Sequence, residues 1–152
     1  MKILMVCLGN ICRSPLAEGI LKQKIHDKGL EGWSVDSAGT GHWHVGELPD
    51  RRSISTAEKH GIDLSDQRAR QFSPKDFERF DQILVMDDSN LRDVLHMAPG
   101  EEHKEKVKLI MNYVFPNENQ SVPDPYWNDD GFEQVFQMLD TACERLIEAL
   151  SR

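Results

Sequence analysis

The stretch ILMVCLGNICRSPLAEGI, residues 3–20, decides how this chain is read. It starts inside a nearly continuous apolar run, KILMVC (residues 2–7), which suits a strand covered on both faces. It ends as a helix, with Leu16, Ala17, Ile20, Leu21 and Ile25 on one stripe and Gly29 placed to stop it. Ser14 offers an N-cap and Pro15 a first helical position. The turn between them holds Gly9, Asn10, Cys12 and Arg13, with Cys7 at the strand's end.

The same alternation continues along the chain. WSVDSAG (33–39) reads as a second strand, followed by the glycine-rich loop GTGHWHVGELPD (39–50). A helix is predicted from about Pro49 to His60, ended by Gly61. SPKD (73–76) is a second serine–proline helix start, with Asp76 placed for a capping box. QILVMD (82–87) is the third strand, DSNLRDVLHMAPG a capped helix stopped by Pro99 and Gly100, and KVKLIM (106–111) the fourth strand. Pro116 to Asp130 carries three prolines and reads as loop. Phe132, Val135, Phe136, Leu139, Ala142, Cys143, Leu146, Ile147 and Leu150 then hold helical spacing. Strands alternating with helices predict one α/β domain over residues 1–152, built on a parallel sheet.

With 152 residues, 39% hydrophobic and 29% charged, the chain can bury one ordinary core. No apolar run reaches the length of a membrane span, and ILMVCL is too short for a signal sequence. The net charge of −8 and the lack of a basic stripe argue against nucleic acid. An anionic substrate must therefore be drawn in by a local positive site rather than by the global field. Three cysteines, with Cys12 five positions after Cys7, fit neither a disulfide scaffold nor a zinc pair. A reducing, cytoplasmic compartment is expected.

In parallel sheets ligands bind beyond the carboxyl ends of the strands, near a reversal of strand order. Residues 8–13 lie there and lead into a helix N-terminus, where free N–H groups and the helix dipole favour an anion. The turn is not a Walker loop, since its glycine spacing and lysine are missing. Arg13 instead offers a planar fork suited to two phosphate oxygens. A cradle for a dianion also stabilises a thiolate, and a thiolate is a nucleophile. Ser14 is placed to donate a hydrogen bond to that sulfur. A lone strand cysteine is ordinarily a small buried residue. A cysteine, an arginine, a serine and a helix-starting proline together in one turn argue for chemistry instead.

VCLGNICRSP resembles the active-site signature, or P-loop, of the low-molecular-weight protein tyrosine phosphatases. DSAG, HW, HGI, ARQ, MDDSNLRD and DPY resemble that family too, in the expected order and over nearly the whole chain. The resemblance implies a flavodoxin-like fold with sheet order 2-1-3-4 and helices on both faces. It implies hydrolysis of phosphotyrosine through a phosphocysteine on Cys7, with inorganic phosphate as product and no metal or other cofactor. Expected partners are phosphotyrosine proteins or peptides, with no nucleic acid and no membrane.

Release of a phenolate is eased by a general acid. Asp124, between two prolines in VPDPYW, reads alone as a turn-forming aspartate; its match to the family's DPY makes it the expected acid. Asp129 and Asp130 are alternatives, read as caps of the last helix. YWNDDGFE fails as a calcium loop, because Tyr126 and Gln137 would stand where carboxylates are needed. Trp43 and Tyr126 are expected at the rim, where a phenyl ring can stack. Trp127 departs from the second tyrosine common in the family. Leu8, Gly9, Asn10, Ile11, Cys12 and Ser14 complete the expected substrate contacts. His42 and His44 lack a third metal ligand and are read as loop residues.

Asn10 suits a left-handed backbone position. By resemblance it braces the loop, with Ser37 as partner, Gln67 standing where the family has a histidine, and Asp87 able to complete the network. Cys12 is either filler or, as the resemblance favours, a redox guard that captures oxidised Cys7. Cys143 is read as core. Three rivals are weighed: an arsenate reductase, which lacks its downstream cysteines here; an arginine phosphatase, which typically has threonine where Ile11 stands; and a phosphate-binding module without activity.

Overall fold

In a computed structural model describing residues 1–152, four parallel strands form one sheet in the order β2-β1-β3-β4. They are β1 (Lys2–Cys7), β2 (Ser34–Gly39), β3 (Gln82–Val85) and β4 (Val107–Leu109). The helices are α1 (Arg13–Asp27), α2 (Arg51–Lys59), α3 (Asp76–Arg79), α4 (Asp88–His96), α5 (Glu101–Lys104) and α6 (Gly131–Leu150). The expected fold class and strand order are found.

Strand alternation explains the two layers. Ile3, Met5 and Cys7 point from β1 into a core shared with Leu16, Ile20 and Leu21 of α1 and with α6. Leu4 and Val6 point the other way, onto Phe72, Phe77 and Val94. Both faces of β1 are therefore covered, which is why its sequence is apolar throughout rather than alternating. Cys143 is fully buried on α6, as expected of core.

Several boundaries differ from expectation. Cys12, not Ser14, holds the N-cap position of α1, and Ser14 and Pro15 lie within the first turn. The Ser14 hydroxyl is taken up by side chains of the preceding turn rather than by a helix N–H. Gly29 does stop α1, at φ 62°. The serine–proline start at residue 73 leads into a single helical turn, but Asp76 reaches back to the Ser73 N–H as a capping box requires. β3 and β4 are shorter than read: Asp87 caps α4 by accepting from the Asn90 N–H, and Ile110–Tyr113 form a 3₁₀ turn. The loop before α6 contains a second such turn, Pro125–Trp127. No helix is long and apolar enough to cross a membrane.

Strand order reverses beside β1, so the crevice between the ends of β1 and β3 is the place for a ligand. Residues 8–12 emerge there.

Candidate active site

The turn after β1 is held from outside through its carbonyls. Cys7 O accepts from the Thr40 N–H (3.0 Å) and Leu8 O from the Gly41 N–H (2.8 Å). Ile11 O accepts from the Asp50 N–H (2.7 Å) and Cys12 O from the Ser53 hydroxyl (3.2 Å). In a trans peptide the next residue's N–H points opposite to the carbonyl. The N–H groups of Leu8, Gly9, Cys12 and Arg13 are therefore turned away from these outside donors, toward the loop's own interior. Gly39 permits this close seating, since a Cβ there would meet Leu8 O at 2.8 Å and the Asn10 N at 3.0 Å.

Asn10 takes φ 57°, the left-handed conformation expected of it. Its Nδ2 donates to Ser14 Oγ (2.8 Å) and Ser37 Oγ (2.9 Å), while its Oδ1 accepts from the Arg70 N–H (3.0 Å). Gly9 needs no positive φ; the turn's left-handed residue is Asn10 alone. Ser14 Oγ, which accepts from Asn10, lies 3.0 Å from Cys7 Sγ, and toward a thiolate at that position the hydroxyl is the donor. The Ser37 hydroxyl donates to Glu18 Oε1 (2.6 Å). Glu18 is buried, and its carboxyl is pushed up, chiefly by burial, with the Ser37 hydroxyl and Lys22 opposing. Gln67 does not join this chain: its Nε2 donates to Pro15 O at 3.1 Å.

Arg13 is 2% exposed, a buried guanidinium at a helix start. Its Nη1 donates to Asp87 Oδ2 (2.6 Å) and to Val122 O (2.9 Å), and its Nη2 lies 3.7 Å from Asp124 Oδ2. Burial alone would lower its pKa; Cys7, Asp87 and Asp124 outweigh this and raise it. Asp87 thus orients Arg13 instead of completing the asparagine network. Asp124 caps the 3₁₀ turn, its Oδ1 accepting from the Tyr126 N–H (3.1 Å).

A pocket of about 280 Å³ opens over this arrangement. Cys7, Leu8, Gly9, Ile11, Cys12 and Arg13 form its floor and wall, with Asp124, Trp43 and Tyr126 around them. Asn10 and Ser14 turn into the brace rather than onto the pocket. Trp43 is 63% exposed and lies across Gly41, where a Cβ would come within 1.9 Å of its ring. Tyr126 and Trp127 meet edge to face at 4.8 Å. The Cys12 thiol is pushed up by burial, then by the negative field of Asp50, Cys7 and Asp124.

Two participants, Glu18 and His44, were not expected from sequence, and Arg52, whose sequence reading is either a contact for acidic residues beside a phosphotyrosine or a solvated helix face, takes another part. Glu18 ends the brace. His44 lines the pocket, with its Nδ1 3.0 Å from Glu47 Oε2. Arg52 pairs with Asp129, so Asp129 is not the cap of α6; Asp130 occupies that position without a side-chain capping bond. No group of three or more His, Cys, Asp or Glu side chains comes together to hold a metal.

The family model for low molecular weight phosphotyrosine protein phosphatase matches residues 2–152. The low molecular weight phosphotyrosine protein phosphatase of Homo sapiens is 42% identical over 149 residues, spanning 96% of this chain and 93% of that protein. The crystal structure of a protein tyrosine phosphatase from Entamoeba histolytica, with Hepes in its active site, superposes with TM-score 0.92 at 38% identity, covering 99% of this chain and 97% of that one. That of a Drosophila arginine phosphatase superposes with TM-score 0.93 at 36% identity, covering 100% and 99%. The chain belongs to the low molecular weight phosphotyrosine protein phosphatase family.

Proposed function

We infer that this chain hydrolyses phosphotyrosine in proteins or peptides, and aryl phosphates generally, through a phosphocysteine on Cys7. The observation that carries the reading is the meeting of Cys7, Arg13 and Asp124 at one pocket, from positions far apart in sequence. In the first step Cys7 Sγ attacks phosphorus in line, and the bond to the tyrosine oxygen breaks. Arg13 and the inward N–H groups of the loop hold the three equatorial oxygens, where the transition state carries its charge. Asp124 gives its proton to the departing phenol. In the second step Asp124, now ionised, takes a proton from water as the water attacks phosphorus. The thiolate leaves, helped by the Ser14 hydrogen bond, and inorganic phosphate is released.

The positive charge for this chemistry comes from Arg13 and the backbone, so the scheme requires no metal. Three free thiols fit a reducing, cytoplasmic compartment. An arginine phosphatase is the second reading, favoured by the Drosophila structure. Ile11 lines the pocket, and its bulk speaks for the aryl substrate, since the arginine-specific branch typically has threonine there.

Assays with phosphotyrosine, phosphoserine and phosphoarginine peptides and with arsenate, run side by side, test this. The expected result is rapid turnover of phosphotyrosine alone, with Ile11→Thr shifting preference toward phosphoarginine. Preference of the wild type for phosphoarginine, or reduction of arsenate, contradicts it.

A further inference from the structure

Arg52, in the first turn of α2, is committed on three sides. Its Nε donates to Asp50 Oδ1 (3.0 Å) and its Nη2 to Asp50 Oδ2 (2.9 Å). Its Nη1 donates to Asp129 Oδ1. Its guanidinium carbon lies 4.6 Å from the centre of the Phe132 ring and 5.5 Å from that of Tyr126. Asp50, which it chelates, is the residue whose N–H holds Ile11 O, and the neighbouring Ser53 hydroxyl holds Cys12 O. The start of α2 therefore grips the phosphate loop on one side, while Arg52 reaches the segment carrying Asp124 on the other.

Ahead of the acid the chain is tied at Val122, whose N–H donates to Met86 O (2.8 Å) and whose carbonyl accepts from Arg13. Apart from the Arg52 bond to Asp129, the hydrogen bonds from Asp124 to Gly131 near the acid are internal to the segment. Asp124 Oδ1 is engaged by the Tyr126 N–H, so the residue that orients the carboxylate is the one whose ring Arg52 faces. Asp124 Oδ2 has only the longer approach to Arg13. The pair with Asp129 is open to solvent and screened. The stacking on Phe132 and Tyr126, backed by Asp50, accordingly does more of the holding. A guanidinium can do this because its planar fork serves two carboxylates while its faces meet aromatic rings; an ammonium cannot.

We propose that Arg52 is a positioning residue that clamps residues 124–132 against the phosphate loop and keeps Asp124 aimed at the leaving oxygen. The proposal rests on Asp124 acting as the acid. Arg52 does not touch the phosphoryl group, so its loss weakens protonation of the phenol and leaves phosphate binding intact.

The test compares kcat/KM for phenyl phosphate, a poor leaving group, with p-nitrophenyl phosphate, a good one. This parameter reports the steps up to phenol release. Arg52→Ala is expected to lower it about tenfold more for phenyl phosphate, since a general acid supplies a factor of about a hundred or more and is here displaced rather than removed. Arg52→Lys falls between, and inhibition by inorganic phosphate stays within about twofold of wild type. An equal loss on both substrates, or no loss, overturns the proposal. If Arg52→Ala does not fold, Arg52→Lys carries the same comparison with a smaller expected selectivity. Asp124→Asn, run alongside, separates the two claims. Selective loss there without any in the Arg52 variants overturns the clamp alone; no selectivity there removes Asp124 as the acid, and the clamp with it.

Discussion

Cys7 and Cys12 show how strongly a thiol's behaviour depends on what faces it. Both are buried and unpaired, and both line the same pocket. Cys7 has a hydroxyl at 3.0 Å and Arg13 nearby. Cys12 has burial and three negative neighbours working against its ionisation, Cys7 among them. We propose that Cys12 guards Cys7: once peroxide has oxidised Cys7 to a sulfenic acid, attack by the Cys12 thiol forms the disulfide and expels water. Mild peroxide is therefore expected to give a Cys7–Cys12 crosslink in peptide mass mapping, reversed by dithiol with recovery of activity. Sulfonic acid on Cys7 with Cys12 untouched contradicts the guard role.

At the scale of elements, α1 does two jobs: its stripe closes the core and its first turns carry the site. Glu18 belongs to both, and its raised pKa gives the brace a signature. A carboxyl that holds its proton more tightly folded than unfolded favours folding at low pH. That contribution is present below the unfolded value and is lost as pH rises through the raised folded one. Glu18→Gln never ionises, so its melting temperature is expected to gain on wild type as pH climbs through that window and to run parallel below it. A difference that does not change with pH contradicts this. The strands, the main helices and the Cys7–Arg13 turn were legible because each is written in local spacing. Asn10 was legible for the same reason, being a residue that tolerates positive φ in a turn. Asp87 on Arg13 and Asp129 on Arg52 were not, because each partner lies more than seventy positions away. Ser14 was misplaced as a cap because a capping hydroxyl and one serving a thiol look alike in sequence.

Over the whole molecule, a net charge of −8 surrounds a site whose cation is almost wholly buried. Long-range attraction does not bring in a phosphate dianion here; short-range donors at the floor of the pocket must hold it. Trp43 and Trp127, 63% and 89% exposed, add an apolar mouth above that floor, suited to a ring that carries the phosphate inward. The buried guanidinium, the inward N–H groups, the Cys7 thiol and Asp124 converge on one pocket, and in the proposed reaction covalent attachment of the phosphoryl group to Cys7 is the central step. Quench with a denaturing detergent at neutral pH during steady turnover of a radiolabelled aryl phosphate, followed by peptide mapping, reads that step directly. The expected result is label on the peptide containing Cys7, retained in mild alkali and released in mild acid as an S-phosphate is, more abundant in Asp124→Asn, where water attack lacks its base, and absent in Cys7→Ser, which still binds phosphate. Label on another residue, or turnover near the wild-type rate in Cys7→Ser, would contradict it.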